Sequence, residues 1–170
     1  MQTRTHLWFP AVAAAAALLA GCSGGGSNPS SVKGTSGDFL VLRTTPPNNG
    51  KLFLTEPIRI DFSKQVDIST ADLNTVSFQV FDLTGKPLNE QPAGSFSLGR
   101  TAGDDTPGRQ LVFSPKFPTN NTFDDGGFKP AREYVVQLVG GDQRNNTVLR
   151  DSAGRGLAQP ISFVFRTADG

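Results

Sequence analysis

The strongest constraint in this sequence is a side-chain period of two that recurs in short runs and is repeatedly interrupted. Ile58, Ile60 and Phe62 alternate with Arg59 and Asp61, and Val76, Phe78 and Val80 alternate with Ser77 and Gln79. An extended chain turns successive side chains to opposite faces, so such runs predict strands buried on one side. Residues 39–42, 95–98, 110–113, 134–139 and 161–165 predict five more. Clusters of Pro, Gly and Asn separate them, as in Thr44-Thr45-Pro46-Pro47-Asn48-Asn49-Gly50 and in the turn Thr84-Gly85-Lys86-Pro87. No apolar i, i+3, i+4, i+7 pattern lasts ten residues. A single helical turn at residues 70–73, capped by Ser69, is the most helix the pattern predicts.

Seven to eight strands at this spacing predict an all-β fold, a sandwich of two sheets. The expected inward set is Ile58, Ile60, Phe62, Val76, Phe78, Val80, Leu111, Phe113, Tyr134, Val136, Leu138, Ile161, Phe163 and Phe165. That is enough apolar surface for one domain without disulfides.

The start of the chain has the layout of an export signal: a basic residue, Arg4, then a largely apolar run from Leu7 to Ala20, then small residues before Cys22. The run is too short for a membrane span, which needs about 20 apolar residues, and it contains Pro10. Leu19-Ala20-Gly21-Cys22 resembles the lipobox of bacterial lipoproteins. The resemblance implies cleavage before Cys22 and lipid attachment there, so that the membrane is a partner through acyl chains. Lipidation also removes a lone thiol that would be a liability in an oxidising compartment. Ser23 follows the cysteine, and by the same resemblance the address is the outer membrane rather than the inner. Residues 23–37 follow, ten of them Gly or Ser, a composition that cannot bury enough apolar surface to order itself. The expected organisation is a signal peptide at 1–21, a lipidated Cys and linker at 22–37, and one domain at 38–170.

Composition narrows the chemistry. The signal carries Arg4 away, leaving 15 basic and 15 acidic residues, and such a balance argues against nucleic acid as a partner. The only histidine, His6, leaves with the signal too. Histidine catalysis, histidine metal sites and, once Cys22 is lipidated, cysteine nucleophiles are therefore excluded. Carboxylates remain. Asp104-Asp105 and Asp124-Asp125 flank a strand of six residues, which separates them by roughly 20 Å, too far to share an ion. Loop alternation in a sandwich brings Asp67 and Asp72, Asp104 and Asp105, and Asp142 and Asp151 to one end, where calcium is conceivable. Lys64, Arg100, Arg109, Arg144, Arg150 and Arg155 fall in or beside the same loops, so solvated turn aspartates are the reading adopted. No cleft-forming insertion accompanies any carboxylate pair, which argues against a hydrolase. The expectation is no enzyme, no cofactor and no resident metal.

Four further stretches carry a resemblance. Pro57-Ile58-Arg59-Ile60-Asp61-Phe62-Ser63-Lys64-Gln65-Val66-Asp67 is similar to a strand and turn of bacterial immunoglobulin-like domains of the S-layer-protein type. Asp151-Ser152-Ala153-Gly154-Arg155-Gly156-Leu157, followed by Phe163-Val164-Phe165-Arg166-Thr167, resembles the closing motif of that family. Leu111-Val112-Phe113-Ser114-Pro115 and Pro130-Ala131-Arg132-Glu133-Tyr134 match between them. The resemblance runs from about Leu42 to Thr167 and implies an Ig-like β-sandwich. Arg155 and Arg132 depart from the usual Asn and Thr. These motifs bear on folding: Tyr134 opens a strand where a tyrosine corner forms, its hydroxyl tied back to upstream backbone. They supply no catalytic residue.

Residues 116–130 are long for a sandwich loop and contain Phe117, Phe123 and Phe128. They are expected to cap the end of the sandwich, Phe128 more than Phe123, with an aromatic contact surface as the alternative. Asn120 and Asn145 each begin an N-glycosylation sequon, given little weight in a bacterial lipoprotein. The functional expectation is a lipid-anchored module at the cell envelope with a structural, adhesive or protein-interaction role, its partner an envelope protein or a glycan. A calcium- or carbohydrate-binding domain on the same scaffold is the alternative.

Overall fold

The computed structural model describes residues 37–104, 106–141 and 147–169. The export signal, Cys22 and the linker up to residue 36 lie outside the described residues, as do Asp105, Asp142, Arg144 and Asn145. Among the described residues nine strands form two sheets, an all-β sandwich. One sheet holds β1 (Val41–Thr45), β3 (Ile58–Phe62), β7 (Gln110–Pro115) and β6 (Gly94–Gly99), in the order β1-β3-β7-β6. The other holds β2 (Gly50–Leu52), β9 (Ile161–Thr167), β8 (Arg132–Leu138), β4 (Val76–Asp82) and β5 (Pro87–Leu88), in the order β2-β9-β8-β4-β5. All pairs are antiparallel except β2 and β9.

The period of two does what it predicts. Thirteen of the fourteen expected inward side chains are buried; Ile161, at the start of β9, is half-buried and packs against the rest. At the centre, Phe78, Phe113, Phe128, Tyr134 and Phe165 form a chain of aromatic contacts with ring centroids 5.1 to 6.5 Å apart. Such pairs add attraction beyond the apolar area that they bury.

Four expectations are corrected. The first strand is Val41–Thr45 rather than residues 39–42, because Phe39 is drawn inward to stack on Phe62 at 5.0 Å before pairing begins. The helical turn lies at Ile68–Thr70, and its cap is Asp67, whose carboxylate accepts the Ser69 N–H at 3.0 Å. Pro87 belongs to a two-residue strand, β5, and the turn before it is organised by the Asp82 carboxylate with Gly85 at φ 85°. Three-residue β2 was not anticipated; it is too short to show a period.

The chain enters the fold at one end. The Ser63 hydroxyl accepts the Leu40 N–H at 3.0 Å and donates to the Asp38 carbonyl at 2.8 Å. Arg155 Nη1 donates to the Gly37 carbonyl at 2.8 Å. At this proximal end β3, β6 and β8 finish and β4, β7 and β9 begin. The distal end, one strand length or roughly 20 Å away, gathers the connections 53–57, 83–86 and 116–131.

Candidate functional site

Strand alternation brings the loops that hold Asp67, Asp72, Asp104 and Asp151 to one end, the proximal one, as expected. Val66 bridges to Asp151, the Val66 N–H donates to Gly108 and the Asp67 N–H to Arg150. The carboxylates nevertheless do not converge. Among the described residues no group of three or more metal-ligating side chains forms. Each carboxylate is engaged by its own loop. Asp72 accepts the N–H groups of Asn74 and Thr75 at 2.8 and 2.9 Å, and the Thr75 N–H is the main reason that its carboxyl sits below the ordinary range. Asp104 is likewise lowered, first by the Thr106 N–H at 2.8 Å, and it pairs with Arg109 at 3.1 Å.

Asp151 is the most enclosed of these groups, its side chain 1% exposed. It accepts the N–H groups of Ala153 and Arg155 at 3.0 and 2.9 Å and both Nε and Nη2 of Arg155 at 2.8 Å. The two guanidinium bonds converge on Oδ2 while the two N–H groups share Oδ1, so both carboxylate oxygens are engaged. Arg155 therefore closes the turn and also grips the Gly37 carbonyl. Asp61 is a second buried carboxylate. Arg43, Gln110 and Thr101 donate to it at 2.8, 2.8 and 2.9 Å. Nothing in the alternation marks it, since its partners come from three other segments.

The distal end is built differently. Phe128 is fully buried, its ring 5.1 Å from Tyr134, 5.4 Å from Phe165 and 5.8 Å from Phe113. The Tyr134 hydroxyl accepts the Lys129 N–H at 2.8 Å, the expected tyrosine corner, and burial pushes this phenol up to about 12. The Thr167 hydroxyl donates to the Lys129 carbonyl at 2.7 Å, and Glu90 bridges Lys129 and Arg132. Gly127 donates to the Lys116 carbonyl at 2.8 Å and lies so close to its neighbours that a Cβ there would come 2.2 Å from the Ala93 carbonyl oxygen. Only glycine fits this approach.

Beyond that base the loop turns outward. Asp125 accepts the Thr119 N–H at 3.0 Å and its hydroxyl, Asp124 accepts the Asn120 amide, and Phe123 adopts φ 56°. The Thr119 hydroxyl, then its N–H, hold the Asp125 carboxyl at about 2. Phe117 is 65% exposed and Phe123 40% exposed. The expectation that the phenylalanines cap the sandwich therefore holds for Phe128 alone. Phe53, at 66%, and Leu83, at 52%, are exposed on the neighbouring connections. Among the described residues, four of the seven exposed large apolar side chains thus lie at the distal end. What the connections at that end present is apolar surface.

No protein-family model matches the chain, and no curated protein matches it. Solved structures similar to it include PcoC, a methionine-rich copper resistance protein from Escherichia coli, at 12% identity and a TM-score of 0.41, covering 76% of this chain and 98% of that one. The selenomethionine form of PcoC is similar at 13% identity and a TM-score of 0.39, covering 74% of this chain and 95% of that one.

Proposed function

We propose that this chain is a lipid-anchored, extracytoplasmic Ig-like module with a structural, adhesive or protein-interaction role at the bacterial cell envelope, held on the outer membrane through Cys22. The observation that carries the reading is the contrast between the two ends. The chain enters at the proximal end, where the described carboxylates are engaged by their own loops. The four exposed apolar side chains Phe53, Leu83, Phe117 and Phe123 stand at the opposite end. A tether at Cys22 joins the domain at its proximal end and leaves the distal end free for an envelope protein or glycan. Exposed aromatic side chains on several loops are the usual material of a contact surface. In this reading the domain binds and does not catalyse.

Two variants test it. Cys22→Ser should release the protein from the membrane fraction or leave its precursor uncleaved; normal processing with unchanged membrane association overturns the anchor. The double variant Phe117→Ser and Phe123→Ser, still anchored, should lose the envelope partners recovered by crosslinking intact cells while its melting temperature stays the same. Unchanged recovery overturns the distal surface.

A further inference from the structure

A sheet edge is a row of unpaired backbone donors and acceptors, and proteins ordinarily obstruct theirs. Among the described residues this sandwich has four edge strands, and three are obstructed. β1 breaks register between Val41 and Arg43, carries the Arg43–Asp61 ion pair and runs into Pro46-Pro47. β2 has only three residues, and β5 has two, beginning with Pro87. β6 has none of these protections. Gly-Ser-Phe-Ser-Leu-Gly is uncharged, lacks proline and pairs with β7 over all six residues without a break.

The direction of its backbone groups follows from the register. The Lys116 N–H donates to the Ala93 carbonyl, and Gly94 is opposite Pro115, so Ala93 and Lys116 form a hydrogen-bonded pair. Alternation then turns Ser95, Ser97 and Gly99 toward β7 and leaves the N–H and C=O groups of Gly94, Phe96 and Leu98 pointing out of the sheet. The 3-10 turn Ile68–Thr70 lies near β6 but offers it nothing. The Ser69 N–H goes to the Asp67 carboxylate, Thr70 to the Asp67 carbonyl and Ala71 to Ile68.

We infer that β6 pairs edge to edge, antiparallel, with β6 of a second copy of this chain. The strand is complementary to itself in one register. With Phe96 opposite Phe96 of the second copy, Gly94 lies opposite Leu98, and all three outward residues form hydrogen-bonded pairs, about six bonds in all. Slipping by two residues loses one of those pairs. On the inner side the large Leu98 side chain meets a glycine. On the outer side the exposed Ser95 meets Ser97, and no like charges oppose one another anywhere in the ladder. A contact of one short strand is small, so the pairing is reversible and depends on concentration. It does not depend on the proposed anchor, and it is compatible with it. The two domains run in opposite directions, and residues 22–37, fully extended, reach about 55 Å, more than a strand length.

The test uses residues 37–170, which contain both sheets and every buried core residue and no cysteine. Ser95 and Ser97 of facing copies form a non-hydrogen-bonded pair with Cα atoms about 4.5 Å apart, within the range of a disulfide. A mixture of Ser95→Cys and Ser97→Cys proteins under oxidation should give a crosslinked heterodimer at least about tenfold above either protein alone. Ser95→Lys with Ser97→Lys places like charges opposite one another and should abolish association in sedimentation runs, whereas Ser95→Glu with Ser97→Lys should retain it. Both positions of change, Ser95 and Ser97, are solvent-facing, and unchanged thermal melts establish that each of the four variants is folded. Absence of the heterodimer, homodimers from either cysteine variant alone, or equal association of the two charge variants overturns the inference.

Discussion

The two ends of this sandwich solve the same problem with different materials. At the proximal end the connections are held by carboxylates: Asp67 caps a turn, Asp72 and Asp104 organise theirs, and Asp151 closes a turn with two backbone N–H groups and a forked arginine. At the distal end the long connection 116–131 is held by aromatic burial, Phe128 beneath Tyr134, and its tip is left outside. Charge and hydrogen bonds fix a loop through its polar groups. An apolar anchor fixes only its root, and the residues beyond it stay available.

The sharpest way to break this contrast is at Phe128. Phe128→Ala empties the space among Phe78, Phe113, Tyr134 and Phe165, and should cost about 3–5 kcal/mol in urea unfolding. A loss below about 1 kcal/mol means that the distal loop is held by its polar base instead. Next comes the proximal counterpart. Asp151→Ala strips two backbone N–H groups and Arg155 of their acceptor and should cost about 2 kcal/mol, measured in the same melts. Asp151→Asn should retain part of this.

A smaller effect concerns Tyr134. Removing its hydroxyl in Tyr134→Phe leaves the Lys129 N–H without its acceptor, at a cost of about 1 kcal/mol. The same phenol gives a pH signature. It ionises at about 12 in the folded protein, raised from 10.0 mainly by burial. Stability that is fully present below pH 10 is therefore lost as the pH climbs toward 12. The chain has one tyrosine, so phenolate absorbance reads this group directly. In Phe128→Ala its midpoint should move back toward 10. The smallest change is expected at Phe123: Phe123→Ser should leave stability within about 0.5 kcal/mol, and a larger loss would mean that the tip is packed.

Much of this fold was legible in the sequence, for one reason. A sandwich strand buries every second side chain, so Ile58, Ile60 and Phe62 or Val76, Phe78 and Val80 state their own orientation. Phe39, Leu52, Val66, Val148, Leu149 and Leu157 are equally buried and carry no such mark. They lie at strand ends or in connections, where closure of the whole structure decides what is covered. The pair Phe123 and Phe128 makes the same point within one loop. Both are phenylalanines in a Gly- and Asp-rich stretch, and what separates them is Gly127, whose tight passage beside Ala93 directs the chain inward just before Phe128. The buried Asp61 network was invisible because a carboxylate on an alternating strand looks like a solvated one until Arg43, Gln110 and Thr101 arrive from elsewhere.

The way the chain enters the fold also sets how it bears load. Tension applied on the N-terminal side of Asp38 runs along β1, and the β1–β3 hydrogen bonds lie across that direction. They are sheared together rather than peeled off one after another. Ahead of them the pull must first dislodge the buried Phe39, break the Ser63 bonds to Asp38 and Leu40, and open the grip of Arg155 on Gly37. The proximal end thus works as a mechanical clamp, and a rupture force measured from this end should fall when Arg155 is replaced by Ala.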